Sequence, residues 1–435
     1  MKKERSKLSY RKRTGQAPGR RRKPKYGRKP AVLPSLNSPA DRPILLVFSD
    51  DWGRHPSSSQ QLIGRLLDRY EVIWVNTIGT RVPRLDWITF QRGVQKLISW
   101  TWGAGKKEKA LQGSRREGQD NPRVLNPAML PSFRSEFCRN WNRRALVAQV
   151  GQAVRSANRD GNRRVIGITT LPYVADLIGR LPVDRWVYYC VDDWSVWPGM
   201  DAEPLARLEK ELLAKVDSVI AVSCALQGRI KTVSGRSSTL LTHGFDERFL
   251  LVEGNTVGNT ENLGANCLDN WPGRKIVYWG LSDERLDGEF IAALSAALPE
   301  DSLVFVGPQA QPPETLFRLK NVCWQGIVPF QQLPGIAREA AVLIMPYTDS
   351  LVTRQIQPLK MLEYLATGKP VVARNLPAMQ DWLDCLDVAD SPEVFVRLVV
   401  ERLETGTPEA QRQARERIKE QPWERKAVEF EKLIG

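Results

Sequence analysis

The apolar run from Ile44 to Phe48 limits most strongly how this chain can fold. Consecutive apolar residues over this length are typical of a strand that is buried on both faces, as in a parallel sheet covered by helices. A helical pattern at 60–70 and a second strand at 71–76 follow it. This strand–helix–strand order predicts a right-handed crossover, and therefore an α/β fold.

The same alternation of strands and helices occurs in both halves of the 435 residues, and the length alone predicts more than one domain. Residues rich in Asn, Gly and Thr without periodicity separate the halves, which is typical of a linker. We therefore expect two doubly wound, Rossmann-like domains that face a central cleft. The expected boundaries are a disordered basic tail at 1–40, an N-terminal domain at 41–250, a linker at 251–270, a C-terminal domain at 271–410, and a final helix at 411–435 that packs back on the N-terminal domain.

The segment from Gln357 to Ala373 carries the clearest functional signal. It predicts a helix with Pro358 at its first position and Gly368 as the left-handed residue at its end, followed by a strand. Lys360 and Glu363 lie on its polar side. An anion can bind at a helix N-terminus, and a carboxylate can accept hydrogen bonds from neighbouring hydroxyls, so a nucleotide diphosphate with its ribose would suit both. A half-buried surface helix with one ion pair remains the alternative.

The positive charge of the chain is concentrated near its start. Residues 1–33 hold fourteen Lys or Arg and one acidic residue, which is about +13 of the formal +15. This composition suits anionic lipid, nucleic acid or an extension without a selected role. Nucleic acid is not expected, because few aromatic residues interleave with the charges. Segment 95–121 joins an apolar, Trp-bearing stretch to Lys and Arg and suits either an interfacial membrane contact or a loop with one buried Trp.

Several classes of site are disfavoured by the residues themselves. Six scattered cysteines without a close pair, and two histidines, disfavour both a zinc site and a disulfide framework, and they favour a reducing, cytoplasmic compartment. Neither a P-loop nor the G-x-G-x-x-G dinucleotide pattern is present. Neither histidine has a Ser or Asp partner in a hydrolase-type motif, and His243 is expected to fasten the end of the first half.

Several segments, taken in order, resemble GT-B glycosyltransferases of family 4, and in particular the branch of teichuronic-acid and exopolysaccharide biosynthesis. The segments that carry the resemblance are Asp51–Pro56 with Gln60–Leu62, Glu71–Asn76, Tyr188–Trp194, Ala221–Ser223, His243–Asp246, Tyr278–Gly280, Phe305–Pro308, Asn321–Val322 with Gly326, Pro346–Tyr347 with Thr353–Arg354, and the helix that begins near Pro358. The resemblance covers residues from about 43 to the end, without the 95–121 insert and the linker.

The resemblance implies a hexosyltransferase-type enzyme that moves a sugar from a nucleotide-diphosphate donor to a saccharide or lipid-linked acceptor, with retention and without a metal or other cofactor. The family has a pair of glutamates separated by seven residues. Glu363 matches the second, which generally binds the ribose, and Gln355 occupies the position of the first. The usual phosphate-binding cations are not in register, since Arg285 is displaced. Arg354 and Lys360 therefore become the expected phosphate ligands, assisted by backbone N–H groups near Gly280 and Pro358.

The acceptor is expected at the N-terminal domain. Asp192 follows a strand there and can orient or partly deprotonate an acceptor hydroxyl, although a turn-forming role before Trp194 is equally open. Gly53 and Arg54 lie on the first loop that should face the cleft. Two other functions remain open, namely a sugar-nucleotide 2-epimerase and a degenerate, non-catalytic nucleotide-sugar-binding subunit. The expected location is cytoplasmic, with peripheral attachment at the inner face of the membrane through 1–33 and 95–121 as a further option.

Overall fold

A computed structural model describes residues 42–54, 56–76, 121–130, 132–196, 201–250 and 267–435. The predicted basic tail, the 95–121 insert apart from its last residue, and positions 251–266 of the predicted linker lie outside the described residues, as does His55.

The first of two principal sheets has seven parallel strands in the order β3-β2-β1-β4-β5-β6-β7. Its central strands are apolar and fully buried, as the run at Ile44–Phe48 predicts. The strands are β1 Ile44–Ser49, β2 Glu71–Asn76, β3 Arg123–Leu125, β4 Val165–Thr169, β5 Arg185–Cys190, β6 Ser218–Ala221 and β7 Thr239–Leu240.

The second principal sheet has six parallel strands in the order β12-β10-β8-β13-β14-β15, and β9 pairs with β11 beside it. The strands are β8 Lys275–Trp279, β9 Ser282–Asp283, β10 Ser302–Val306, β11 Gln309–Ala310, β12 Val322–Gly326, β13 Val342–Met345, β14 Val371–Arg374 and β15 Asp387–Ala389. Each sheet has its own hydrophobic core, so the expected fold of two Rossmann-like units is confirmed.

Helices connect the strands of both sheets, as parallel pairing requires. Within the described residues they are α1 Ser58–Ile63, α2 Glu136–Ala157, α3 Ala202–Lys215, α4 Cys224–Ser234, α5 Gly288–Ala297, α6 Leu333–Glu339, α7 Leu351–Gln355, α8 Leu359–Ala366, α9 Pro392–Thr405, α10 Glu409–Ala414 and α11 Trp423–Ile434.

The last segment of the chain crosses back to the first sheet. It is not one helix over 411–435, because a 3₁₀ turn at 415–420 and Pro422 separate α10 from α11. The apolar face of α11 belongs to the first hydrophobic core, and Glu424 and Glu431 on this helix pair with Arg65 and Arg69. Pro422, where the chain returns to the first sheet, forms an isolated parallel β-bridge with Phe245, so two passages of the chain between the domains lie side by side.

Two helices differ from their predicted bounds. The helix predicted at 60–70 is α1, which ends at Ile63, because the following residues form tight turns that bury Leu66 and Leu67. Pro358 is the N-cap of α8 and not its first helical residue. Gly368 has a φ of +74° and supplies the expected left-handed residue after the helix.

Candidate functional site

The strand order of the second sheet marks a place where ligands bind in folds of this type. The chain proceeds outward from β8 in one direction and from β13 in the other, so the switch point lies between these strands. Gly280 follows β8, and Tyr347 follows β13. The corresponding point of the first sheet lies between β1 and β4. Residues at the carboxyl ends of these four strands are therefore the first candidates for a site.

Two glycines allow the chain to approach itself closely at the second switch point. Gly280 and Gly307 have φ values of +132° and +131°, in a region that only glycine adopts easily. A Cβ on Gly307 would lie 2.2 Å from the carbonyl oxygen of Gly280, and a Cβ on Gly280 would lie 2.3 Å from Nζ of Lys360. The backbone of Gly280, a predicted donor-binding residue, therefore lies against the Lys360 ammonium group.

Trp279 holds α8 against the end of β8 with both of its N–H groups. Its backbone N–H donates to the Tyr364 hydroxyl over 2.9 Å, and its indole Nε1–H donates to Oε2 of Glu363 over 3.2 Å. The Trp279 and Tyr364 rings also meet edge to face at 4.2 Å. The face of α8 that the sequence predicts as polar is thus directed into the protein, where Glu363 is only 8% exposed.

The environment of Glu363 favours its neutral form. Burial raises the pKa of Glu363 to about 7, and the nearby Asp246 adds to this, while the Trp279 hydrogen bond and the charges of Lys360 and Arg248 act against it. Asp246 itself forms an ion pair with Arg248 at 2.7 Å. Glu363 can therefore accept hydrogen bonds as a carboxylate, or donate one as an acid, near neutral pH.

Lys360 lies between two tyrosine rings. Its Nζ is 3.8 Å from the ring centre of Tyr278 and 5.4 Å from that of Tyr347, which are cation–π distances. Burial lowers the pKa of Lys360, whereas the Tyr347 hydroxyl opposes this shift. The pKa of Tyr347 is lowered, because the charges of Lys360 and Arg285 outweigh the effect of burial. The sequence did not single out Tyr278 or Tyr347 as site residues, although both stand in segments that carry the family resemblance.

Arg285 lies in the same region, although in the sequence it is displaced from the positions of the family's phosphate-binding cations. Its guanidinium pairs with Asp283 at 2.9 Å and lies 6.0 Å from the Tyr347 ring centre. A surface depression of about 550 Å³ is found nearby, lined by Asp287, Thr315, Thr348, Asp349 and Arg374 among others. The backbone N–H of Thr348 donates to the Arg285 carbonyl over 2.8 Å, which connects the depression to Arg285.

The remaining predicted donor-site residues are placed differently. Arg354 is 59% exposed and forms a two-bond ion pair with Asp349. Gln355 ends α7, and its Oε1 is buried without a hydrogen-bond partner. Pro358 is buried at the start of α8. Among these residues, only Pro358 shares the helix that carries Lys360 and Glu363.

His243 lies in the first of the two passages between the domains and contacts the residue before the N-cap of α8. Its ring forms a hydrogen bond with the backbone of Gln357, and its Nδ1 is buried without a hydrogen-bond partner. Burial lowers the pKa of His243 to about 3, and the charge of Lys426 contributes to the shift. A neutral, buried imidazole is in keeping with the fastening role predicted for this residue.

In the first domain, the β1–α1 loop is organised around Asp50. The Asp50 carboxylate accepts hydrogen bonds from Ser49, Ser57, Ser59 and Gln60, while burial raises its pKa. The Gln60 side chain accepts the N–H of Gly53 over 2.9 Å. Gly53 has a φ of +77°, and the next residue, Arg54, is exposed beside Asp51 at 3.5 Å. The predicted Gly53 is therefore connected to Gln60 of α1 and, through it, to Asp50.

Asp192 and Asp193 follow β5 and have different surroundings. Asp193 is buried, and its Oδ2 lies 2.6 Å from Nε of Arg229. Asp192 is partly exposed, and its carbonyl oxygen accepts the Cys190 thiol at 3.7 Å. The indole of Trp194 donates to the carbonyl of Thr170 after β4, which brings this loop to the first switch point.

Two general properties of the described residues bear on metal binding and on membrane insertion. Within them, no group of three His, Cys, Asp or Glu side chains is arranged to hold a metal ion. In the same part of the chain, no helix has both the length and the apolar character needed to cross a bilayer.

Comparison with known proteins supports a common fold and a family likeness. The family model "Glycosyl transferases group 1" matches residues 276–404, which lie in the second domain. A protein of Bacillus subtilis strain 168, named as a teichuronic acid biosynthesis glycosyltransferase (TuaH), is 26% identical over 209 residues. That match covers 45% of this chain and 51% of the relative, or about half the length of each.

Solved structures resemble the chain over nearly its whole length. Anabaena HepE in complex with UDP has a TM-score of 0.60 at 14% identity, and the match covers 90% of this chain and 98% of that one. A sucrose-phosphate synthase from Thermosynechococcus elongatus has a TM-score of 0.63 at 16% identity, over 90% and 98% of the two chains. At these identities the likeness concerns the fold. The predicted resemblance is thus confirmed: the chain has the GT-B fold and resembles the glycosyltransferases of teichuronic acid biosynthesis.

Proposed function

We propose that this protein is a glycosyltransferase that moves a sugar from a nucleotide-diphosphate donor to a saccharide or lipid-linked acceptor. The observation that carries the proposal is the position of α8, which brings Lys360 and Glu363 to the switch point of the second sheet, beside Gly280. The family match to this domain supports it, as does the fact that HepE, a protein of the same fold, has been solved with UDP and with UDP-glucose.

The donor would use two chemically different groups of α8. Lys360 supplies a positive charge for the diphosphate, where negative charge grows as the bond to the sugar breaks. As a carboxylate, Glu363 accepts hydrogen bonds from the two ribose hydroxyls. Gly280 and Gly307 allow this arrangement, because a Cβ on Gly280 would meet Nζ of Lys360 and a Cβ on Gly307 would meet the carbonyl oxygen of Gly280. In this arrangement Arg285 contributes positive charge from the neighbouring loop, whereas the exposed guanidinium of Arg354 pairs with Asp349 and is not required for the donor.

The acceptor would lie at the first switch point, between the Asp50 loop and Asp192. Asp192 would orient the attacking hydroxyl and take part of its proton. Retention of anomeric configuration, and stabilisation of the leaving nucleotide by protein cations without a bound metal, are further parts of the proposal that come from the family resemblance.

The proposal can be tested by thermal shift with a panel of nucleotide sugars on wild type, Glu363→Gln and Arg354→Gln. We expect one donor class to raise the melting temperature of wild type, and Glu363→Gln to lose most of that shift because an amide is a weaker acceptor for two hydroxyls. Arg354→Gln is the matched control and should keep most of the shift, since its guanidinium already pairs with Asp349. No stabilisation of wild type by any nucleotide sugar would contradict the proposal.

A second candidate is a nucleotide-sugar-binding subunit without activity, and Gln355 is the observation that favours it. Gln355 stands where the family has a carboxylate, and its Oε1 is buried without a partner. The two functions differ in one measurement, the release of free nucleotide diphosphate with a total lipid and polysaccharide extract as acceptor. A transferase releases it only with acceptor, a binding subunit releases none, and a 2-epimerase converts the donor sugar without any acceptor.

A further inference from the structure

Three charged side chains are buried beneath the loop that follows β5. The Arg229 guanidinium on α4 lies between two carboxylates, with Nε 2.6 Å from Oδ2 of Asp193 and Nη2 2.6 Å from Oε2 of Glu209 on α3. Both carboxylates are buried, and the Arg229 side chain is 13% exposed. The Tyr188 hydroxyl of β5 donates to the other oxygen of Glu209 over 2.8 Å. The network therefore connects β5, its following loop and two helices.

The network constrains the peptide that joins Asp192 to Asp193. Asp193 uses one carboxylate oxygen for Arg229 and the other for Ser195, whose backbone N–H and hydroxyl both donate to it. The carbonyl oxygen of that peptide, which belongs to Asp192, accepts the Cys190 thiol. Since neither carboxylate oxygen of Asp193 can turn without breaking a bond, the peptide that joins it to Asp192 has little freedom.

Three groups of this network, Tyr188, Cys190 and Arg229, keep their protons near neutral pH. Burial raises the pKa of both Tyr188 and Cys190 well above neutrality, so neither becomes an anion there. The pKa of Arg229 is raised as well, because its hydrogen bond and charge interaction with Glu209 outweigh the cost of burial. Groups that keep their protons are suited to holding a loop in place and not to proton transfer.

Stability alone does not explain such a buried group of ions, because well-packed apolar side chains of the same volume often stabilise a core as well or better. We propose that Arg229 is a positioning residue, which fixes the loop at 191–196 so that the Asp192 carboxylate is held toward the acceptor hydroxyl. This inference rests on the proposed transferase function and on the role of Asp192 in it. It adds Arg229, Glu209 and Asp193 to the groups on which the reaction depends, although none of them touches substrate.

The test compares Arg229→Lys with Arg163→Lys, a matched substitution near the amino ends of the strands of the same sheet. Arg163 is 12% exposed and pairs with Glu71 at 2.6 Å, at the amino end of β2. Both variants keep the charge and lose the planar fork that bonds two groups at once. We expect amide hydrogens at 191–196 to exchange faster in Arg229→Lys and at the wild-type rate in Arg163→Lys.

The same pair is then compared in transfer, with the donor found in the thermal-shift panel and the total extract as acceptor. We expect kcat to fall about tenfold or more in Arg229→Lys, with the donor KM unchanged, because a small displacement of a catalytic group is costly. Arg163→Lys should lower the melting temperature by a comparable amount and leave kcat unchanged. Asp193→Asn, which keeps the bonds to Ser195 and weakens the pair with Arg229, replaces Arg229→Lys if that variant does not fold.

Equal exchange at 191–196 in the two variants overturns the inference, and so does an equal kcat when the wild type is active. A wild type that transfers no sugar refutes the proposed function instead. In that case the exchange measurement still decides whether Arg229 holds the loop.

Discussion

The titration of Glu363 offers the sharpest test of the geometry around α8. The pKa of a buried carboxyl group depends on its surroundings, and here burial raises it from the ordinary 4.5 to about 7. This difference corresponds to about 3 kcal/mol, at about 1.4 kcal/mol for each tenfold change in the proton equilibrium. Between these two pH values the folded protein binds more protons than the unfolded chain, so the free energy of unfolding falls as the pH rises from 4.5 to 7.

The perturbation is Glu363→Gln, which keeps an acceptor for the Trp279 indole and cannot ionise. We expect the variant and wild type to have similar stability near pH 5, where the wild-type carboxyl is mostly protonated in the fold. Between pH 5 and 8.5 wild type should lose about 2–3 kcal/mol more than the variant, as measured by urea unfolding at both pH values. Glu409→Gln, at a side chain that is 70% exposed, serves as the control and should show no such difference.

An identical pH dependence of wild type and Glu363→Gln would refute this reasoning. It would mean that the carboxyl group is solvated in the protein, and that its contact with Trp279 does not withdraw it from water. Such a result would also weaken its assignment as a sheltered acceptor for ribose.

Three further predictions concern neighbouring residues. Lys360→Met should weaken binding of the nucleoside diphosphate of the donor found by thermal shift, about tenfold or more by calorimetry, since it removes a charge-assisted contact and keeps an apolar stem. Unchanged affinity would contradict the role proposed for Lys360. Gly307→Ala should lower the melting temperature more than Gly368→Ala, because a Cβ at Gly307 would meet backbone at 2.2 Å. The space around Gly368 is open, so backbone strain of about 1–2 kcal/mol is the only cost of a Cβ there. Equal decreases in melting temperature would contradict the close approach at Gly307. His243→Asn should leave the shape of the pH–rate profile above pH 5 unchanged, since burial holds the pKa of His243 at about 3; loss of a limb between pH 6 and 7 would show that the imidazole titrates.

Much of the fold could be read from local pattern. Unbroken apolar runs such as Ile44–Phe48 identify strands that are buried on both faces, and the alternation with helices leads to parallel sheets. The helix N-terminal to Gly368, and the left-handed conformation of that glycine, also follow from residue type alone. Helix ends were less well predicted, as for α1, because tertiary packing of Leu66 and Leu67 decides where the regular turns stop.

Contacts between side chains on different elements could not be predicted from local pattern. Nothing in the residues near Lys360 indicates that its ammonium group lies over Tyr278, which is far from it along the chain. The exposed ion pair of Arg354 with Asp349 is likewise a matter of how one short helix is placed. Asp192 and Asp193 look equivalent in the sequence, and only the approach of Arg229 from α4 separates a buried partner of an ion pair from a partly exposed neighbour.

The sequence by itself thus determined the two-sheet architecture and the helix that carries Glu363, because hydrophobic periodicity and glycine conformation act over a few residues. The tertiary structure alone decided which charges are buried, which are paired and which lie at the two switch points. Those properties depend on the local dielectric and on distances between segments that are remote along the chain, and such quantities exist only once the sheets have formed.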